Sequence, residues 1–440
     1  MLASNIAQGR EILLKRLVRA RAETDQLFGL VNPGSLYKRP IAERHRLVFY
    51  LGHLEAFDWN LLNSRLSGLK PSDSELNRLF AFGIDPVDGA LPSDQPSDWP
   101  SLPSVHEYNR RIRSTIDKAL AADDLQDRGG TERPETLLNV AIEHRLMHAE
   151  TLSYMLHQLP IESLTGVQQP TSRIDTALHR DSVYIPGGKT LLGLSHQDDS
   201  EFGWDNEFER HEVEVAEFST DRYKVTNAQY LEFVRAGGYQ SCELWTEADW
   251  NWKEQGGIEH PLAWRYGGDG WKYRATFEII PFPLDWPVYT SHAEARAYAT
   301  WKGKRLPTEA EWHRAAYGAP GREDSKYPWG NQAPASEYGY LGMRRWDPVA
   351  VNAYPDARST FGVEGMLCNG WEWTESVFAP FPGFQSYACY PGYSASFFDG
   401  HHYVLKGGSQ RTERCMLRRS FRNWFQPHYQ HVYAGFRCVD

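Results

Sequence analysis

Cysteine is scarce in this chain, and none of it is grouped. Cys242, Cys368, Cys389, Cys415 and Cys438 are odd in number, widely scattered and never in a C-x-x-C pair. That pattern excludes a disulfide framework and a zinc ribbon. Long apolar runs are missing as well: no eighteen consecutive apolar residues occur, so no segment is expected to span a membrane. The stretch from Met1 to Arg21 is amphipathic and carries Arg10, Lys15, Arg16, Arg19 and Arg21. It has no apolar core and no small-residue cleavage site of a secretory leader. From these absences a cytoplasmic protein is expected. Basic charge is nowhere concentrated and the net charge is −10, which argues against nucleic acid as a partner.

Aromatic residues, by contrast, are plentiful. The 440 residues include 16 Trp, 23 Tyr and 20 Phe, the composition of a folded globular protein, and the length exceeds what one ordinary core serves. Two domains are expected. The first third reads as helical. Residues 3–30 place Ile6, Leu13, Leu14, Leu17 and Leu27 among polar residues, and a Pro-Gly turn follows at Pro33-Gly34. A second helix is predicted over about 41–66, with Phe49, His53, Ala56, Phe57 and Leu61 on one stripe. Leu91 to Ser104 is a loop by its Pro, Ser and Asp content, and further helices are predicted over His106–Ala121 and Pro134–Leu159. Four such helices fit a bundle. Near 168–181 the helical period ends. Short apolar pieces then alternate with Gly, Pro and Trp, as in Ser182–Ile185, Glu212–Val215 and Tyr403–Leu405. Short helices are predicted near Asn227–Ala236 and His292–Trp301, and Thr308-Glu309-Ala310-Glu311 is a capping box that announces another.

One segment of the helical part carries chemistry. In Glu143-His144-Arg145-Leu146-Met147-His148-Ala149-Glu150, the two histidines are four apart and share a helix face with Leu137, Ala141, Leu152 and Met155. That face is the buried one. Imidazoles there need hydrogen-bond partners or a metal ion. As a bare pair they read as satisfied core histidines, but His53 is a third inward-facing histidine on another helix. Three neutral imidazoles can hold one zinc, nickel or iron ion and leave positions open for reactants. Glu150 points roughly 200° away from His148. A supporting or surface role is expected for it, and a surface role for Glu55, which stands in the same relation to His53.

Four further segments are ordered along the second part: Arg305-Leu306-Pro307-Thr308-Glu309-Ala310-Glu311-Trp312, Asn369-Gly370-Trp371-Glu372-Trp373-Thr374, Leu405-Lys406-Gly407-Gly408-Ser409 and Gly435-Phe436-Arg437-Cys438. Together they resemble the formylglycine-generating-enzyme (sulfatase-modifying factor) fold, a C-type-lectin-like domain. The helical part resembles a DinB-like bundle with a three-histidine iron site. The pairing is similar to the ergothioneine-type non-haem iron sulfoxide synthases, which use Fe(II) and O2 to join a sulfur donor to imidazole C2 of hercynine (Nα-trimethylhistidine). The fold implied is two-domain α+β: a DinB-like four-helix bundle over 1–167, a linker over 168–180, and the sulfatase-modifying-factor domain over 181–440. The resemblance also implies small-molecule substrates, with His53, His144 and His148 as iron ligands. The family's Arg-Asn-Trp is Arg422-Asn423-Trp424 here, so Asn423 and Trp424 are expected to hold hercynine, whose trimethylammonium group suits an aromatic face. In the tyrosine-rich loop with Tyr387, Tyr390 and Tyr393, Tyr390 is expected to donate the catalytic proton and Tyr393 to form a cation–π wall.

The departures concern the donor. Relatives that use γ-glutamylcysteine have an acidic residue after Asn-Trp and a basic one four further on; here these are Phe425 and Tyr429. The arginines expected before the third bundle helix are replaced by Ser101-Leu102-Pro103-Ser104. A zwitterionic thiol with two carboxylates needs such charges. A donor other than these thiols fits the similar selenoneine synthases, which couple hercynine to a selenosugar, and an aromatic, less charged pocket would suit a sugar. Phe49–Trp59 replaces the family's Trp-His segment, Met147 stands for the usual Gln, and the tyrosine loop is one residue longer. Other readings are a hercynine sulfoxide synthase using cysteine or γ-glutamylcysteine, a DinB-type metal-dependent thiol transferase, and a non-catalytic lectin-like binding module. A copper-dependent formylglycine-generating enzyme would need a cysteine pair that the isolated Cys415 and Cys438 do not supply.

Overall fold

The computed structural model describes residues 2–66, 73–83, 91–122, 125, 133–166, 181–198, 201–319, 324–339 and 342–440. The linker expected over 168–180 lies outside the described residues. The chain divides into two compact units. One comprises Met1–Val167 and Tyr387–Pro391; the other comprises Gln168–Ser386 and Gly392–Asp440.

In the first unit, α1 (Leu2–Gly29) buries Leu13, Leu17, Ala20 and Leu27, spaced as one helix face, and packs on α5 (Pro134–His157). The central helix is α2 (Leu47–Leu62), buried on most of its circumference and packed on α3 (Ser74–Phe82), α4 (Leu102–Ala121) and α5. α3 was not anticipated from the sequence. Nine residues make a marginal helix on their own. Here Asp73 accepts a hydrogen bond from the Leu76 amide, and Phe80 is fully buried against Gly52 of α2. α4 begins four residues before the expected His106, because Ser101 caps it and Pro103 fits its first turn.

The second unit is the irregular α+β domain that the sequence indicates. Its main sheet has four strands in the order Asn423–Phe425, Tyr403–Lys406, Trp371–Val377 and Ala434–Gly435. The first three run antiparallel, and the last pairs parallel to Trp371–Val377. Ser182–Ile185 pairs with Phe218–Asp221, Gly188–Leu192 with His211–Val215, and Trp264–Gly267, Gly270–Arg274 and Ile279–Pro281 form a three-stranded sheet. Helices cover Asn227–Arg235, Glu247–Gly256, His292–Trp301 and Glu309–Tyr317. The expected capping box is present, with the Glu311 amide donating to Thr308 Oγ1 and the Thr308 amide to Glu311 Oε2.

Several motif residues of this unit are structural. Arg437 donates to both carboxylate oxygens of Glu372 at 2.6 and 3.0 Å, and Lys224 stands 3.2 Å from the same group, all three buried. Gly407 has φ 95°, and a Cβ there would meet the Met366 carbonyl at 2.6 Å. All five cysteines are free thiols. Among the described residues no helix is long and apolar enough to cross a membrane.

Candidate metal centre and aromatic cluster

The structure brings His53 of α2 together with His144 and His148 of α5. Their nearest ligand-type atoms lie within 4.8 Å of one another, and this is the one such cluster among the described residues. Two metal–nitrogen bonds of roughly 2.1 Å span a distance of the same scale. Local sequence explains the placement. Pro134 opens α5 at a position where a missing N–H costs nothing, and the spacing of four then stacks His144 beneath His148.

Hydrogen bonding fixes one tautomer. His53 Nδ1 is 2.7 Å from the Phe80 carbonyl oxygen, which can only accept, so Nδ1 carries the proton and Nε2 keeps its lone pair. The Nδ1 atoms of His144 and His148 are buried without a hydrogen-bond partner, a costly state for polar atoms unless an ion occupies the cluster. Burial pushes the His53 imidazole down to about 4 against the opposing effect of the Phe80 carbonyl. It pushes His144 and His148 well below their ordinary value, each further depressed by neighbouring histidines. Three neutral imidazoles with unspent lone pairs are the donor set of a divalent transition-metal site, and the residues fit such an ion.

Two outcomes follow for the protein without metal. The unfolded chain protonates its histidines near 6.5, whereas the folded state keeps them neutral down to about 4 at His53. Below the higher value the unfolded state therefore binds more protons. Stability is complete above about pH 6.5 and declines toward pH 4, by up to about 1.4 kcal/mol per unit for each such histidine. His292, held down at about 3 by burial, acts in the same direction. Urea midpoints at about pH 7.5 and about pH 5.5 measure the effect; an unchanged midpoint would contradict it. Secondly, a Cβ at Gly52 would lie 2.4 Å from Phe80 Cδ1. Gly52→Ala is expected to destabilise by about 1–3 kcal/mol and to displace the carbonyl that orients His53. A wild-type thermal midpoint in that variant would show that α3 yields freely.

Tyr390 lies in the same unit. Its ring centroid is 6.1 Å from that of His144 and 5.2 Å from that of Phe57, and Phe57 itself stacks on His144 at 3.4 Å. One sequence expectation is corrected here. Glu55 is not a surface carboxylate but is 1% exposed, accepting hydrogen bonds from Arg113 and Arg145. Glu150 is likewise buried. Spacing alone missed this because most of the circumference of both α2 and α5 is buried.

The remaining candidate residues belong to the second unit. Trp424 stacks on Phe378 at 4.2 Å and meets the edge of Tyr393 at 5.4 Å, while Tyr393 stacks on Trp204 at 3.9 Å. Strand alternation puts Asn423 and Phe425 on the face opposite Trp424. Asn423 Oδ1 accepts from the Trp424 amide at 2.9 Å, which leaves its NH2 as the remaining donor group. Phe425 stacks on Tyr429 at 5.0 Å with rings 5° from parallel. Arg422 anchors this strand: it pairs with Glu309 at 2.9 Å and lies over the Phe378 and Phe381 rings. Glu309 sits in a motif quoted above, but no spacing rule links residues so far apart.

Comparison with known proteins agrees with this architecture. Residues 168–440 match the sulfatase-modifying factor enzyme 1-like domain family, and residues 16–152 match the DinB superfamily. The class is thus that of enzymes joining a histidine-bearing DinB bundle to a sulfatase-modifying-factor domain. The chain is 37% identical to hercynine oxygenase of Mycobacterium tuberculosis over 76% of its own length and 77% of that protein. It is 34% identical to hercynine oxygenase of Mycolicibacterium smegmatis over 98% and 99%. Ergothioneine biosynthesis protein 1 of Neurospora crassa is 26% identical over 92% of this chain and 55% of its own. The chain belongs to the hercynine oxygenase family and is an oxidative enzyme.

Proposed function

We propose that this enzyme uses Fe(II) and O2 to couple hercynine, through imidazole C2, to a chalcogen donor of the selenosugar class. The observation that carries the reading is the cluster of three neutral histidines, His144 buried and His53 and His148 half-buried, in a chain that aligns end to end with a hercynine oxygenase. The reaction balances without an external reductant. The C2–H and Se–H bonds break and a C2–Se bond forms. O2 accepts four electrons, one oxygen becoming the selenoxide and the other leaving as water. A thiol donor would give the sulfoxide by the same balance.

When bound, iron held by His53, His144 and His148 supplies coordination positions and the one-electron chemistry that O2 requires. The protein's own groups do the rest. Tyr390 delivers a proton from its hydroxyl. The perpendicular rings of Trp424 and Tyr393 attract the trimethylammonium group, which offers no hydrogen-bond donor. The Asn423 NH2 serves the polar end of hercynine. The stacked Phe425 and Tyr429 offer an aromatic surface on which the CH face of a sugar packs, in place of the ion pairs that a γ-glutamyl thiol needs. Five free thiols suit a reducing compartment and support a cytoplasmic location.

Anaerobic loading with Fe(II), then hercynine, O2 and a panel of selenosugar, cysteine and γ-glutamylcysteine donors, tests the proposal by mass spectrometry. A selenium-containing hercynine conjugate formed faster than any thiol product is expected. Product from cysteine or γ-glutamylcysteine alone would overturn the donor assignment. No product from any donor would overturn the coupling reaction itself.

A further inference from the structure

We propose that Arg145 and Glu55 are positioning residues that set the separation of the two ligand-bearing helices, and so tune the affinity and geometry of the histidine site. The inference rests on the metal-site reading above. Arg145 follows His144 on α5, yet its guanidinium is spent chiefly on α2, with a longer 3.5 Å contact from Nη1 to Thr24 Oγ1 of α1. Nη2 donates to the Leu54 carbonyl at 2.9 Å and to Asp58 Oδ2 at 2.8 Å, and Nη1 donates to Glu55 Oε1 at 2.9 Å. Leu54 and Glu55 are the two residues after His53. One side chain beside a ligand on α5 therefore grips the backbone and carboxylate beside the ligand on α2.

The grip extends to the other long helices. Glu55 also accepts from Arg113 of α4 at 2.8 Å, and Arg113 reaches Asp25 of α1 at 2.6 Å. Asp58 lies 3.5 Å from Arg21 of α1, which donates to Asp117 of α4 at 2.6 Å. Arg145, Glu55 and Asp58 are each at most 1% exposed. A charged cluster so deep gains little stability over apolar residues of similar volume, because desolvation offsets the attraction. Its fixed directions instead allow one register between α2 and α5. His53 is thereby located twice: its ring by the Phe80 carbonyl and its helix by Arg145. Loss of such outer partners commonly weakens metal binding by about 10–100-fold.

The test uses full-length protein and Co(II) as a spectroscopic probe, titrated anaerobically against a chelator. Arg145→Lys keeps a charge but cannot make all three bonds, and Glu55→Gln keeps shape but loses the charge. Both are expected to keep wild-type helix content by circular dichroism, to bind Co(II) about 10–100-fold more weakly and to shift its ligand-field bands. Arg110→Ala, which removes an exposed ion pair with Glu107, should leave both readouts unchanged. Should one variant fail to fold, the other decides. Wild-type affinity and bands in the folded variants would overturn the positioning role. Loss of helix content in both would also overturn it, by showing that the network holds the fold rather than the site. A wild-type protein that binds no Co(II) would overturn the metal-site reading beneath it.

Discussion

Replacing His148 by alanine should abolish metal binding and product formation while leaving the bundle folded. His148 is one of three imidazoles in the cluster, and among the described residues no carboxylate or thiolate joins them. Two imidazoles from one helix turn hold a divalent ion far less firmly than three from two helices. Retention of iron should fall below what survives desalting, and turnover by at least about a thousandfold, on the scale of removing a group that acts as one unit with its neighbours. Stability should move the other way, or hardly at all. The wild-type side chain leaves a buried Nδ1 without a partner, so truncation removes an unpaired polar atom along with its packing. The two effects oppose, and a change within about 1 kcal/mol is expected for metal-free protein. Iron content after anaerobic loading, turnover with hercynine, and a urea midpoint are the measurements. A variant that kept stoichiometric iron and wild-type turnover would sink the three-histidine site. Full activity without iron would sink iron dependence. The same experiment separates this enzyme from a lectin-like binding module, for which His148 would be a mere core residue and its loss would leave ligand binding intact.

The histidine cluster was legible because helical spacing is a local rule. His144 and His148 are placed by four residues of α5, and the apolar stripe that orients them needs no knowledge of the partner helix. The partnership with His53 required two helices to be matched across 91 positions, and it was read only because each stripe carried an inward histidine. Glu55 shows where such reasoning stops. Its position relative to His53 suggested a solvent-facing carboxylate, yet α2 packs on α3, α4 and α5 and is buried on most of its circumference, the Glu55 side included. Its partner Arg145 lies 90 residues away, and charge alone gives no sign of which carboxylate an arginine will meet. α3 fell below legibility for a related reason: a nine-residue helix exists by virtue of Phe80 packing on Gly52, a contact between elements.

In the second unit the motif residues were legible as a pattern but not as roles. Glu372, Arg437, Arg422 and Glu309 stand out as charged residues within the motifs quoted above. The structure spends them on two buried ion pairs: Arg437–Glu372 beside the main sheet, and Arg422–Glu309 between that sheet's edge strand and the helix Glu309–Tyr317. The capping box at Thr308 could be read letter by letter, since donor and acceptor are three residues apart. The aromatic corner of Tyr393 and Trp424 could not, because its geometry depends on Trp204 and Phe378 backing each ring from elsewhere in the chain. Resemblance to a family supplied these residues; packing explains why they hold still.

Tyr390→Phe should lower turnover by about 10²–10³-fold without loss of iron, the range over which a positioned general acid acts. The substitution deletes one hydroxyl and keeps the ring, so the edge-on contacts with Phe57 and His144 persist. Iron affinity, which depends on the imidazoles, should stay within about twofold. The Michaelis constant for hercynine should also change little, because the proton is needed as bonds rearrange rather than as substrate binds. That split between kcat and KM distinguishes proton donation from packing, which would disturb both. Tyr387 provides the comparison within the same loop. It is buried and belongs to the same unit. With Tyr390 as the donor, Tyr387→Phe should retain most of kcat, with any loss appearing in stability. Steady-state kinetics of both variants, with iron content measured alongside, decides the assignment. If Tyr390→Phe turns over at the wild-type rate, Tyr390 is a wall of the site and the proton comes from elsewhere. If the large kcat loss falls on Tyr387→Phe instead, the extra residue in this loop has moved the acid three positions earlier in the chain.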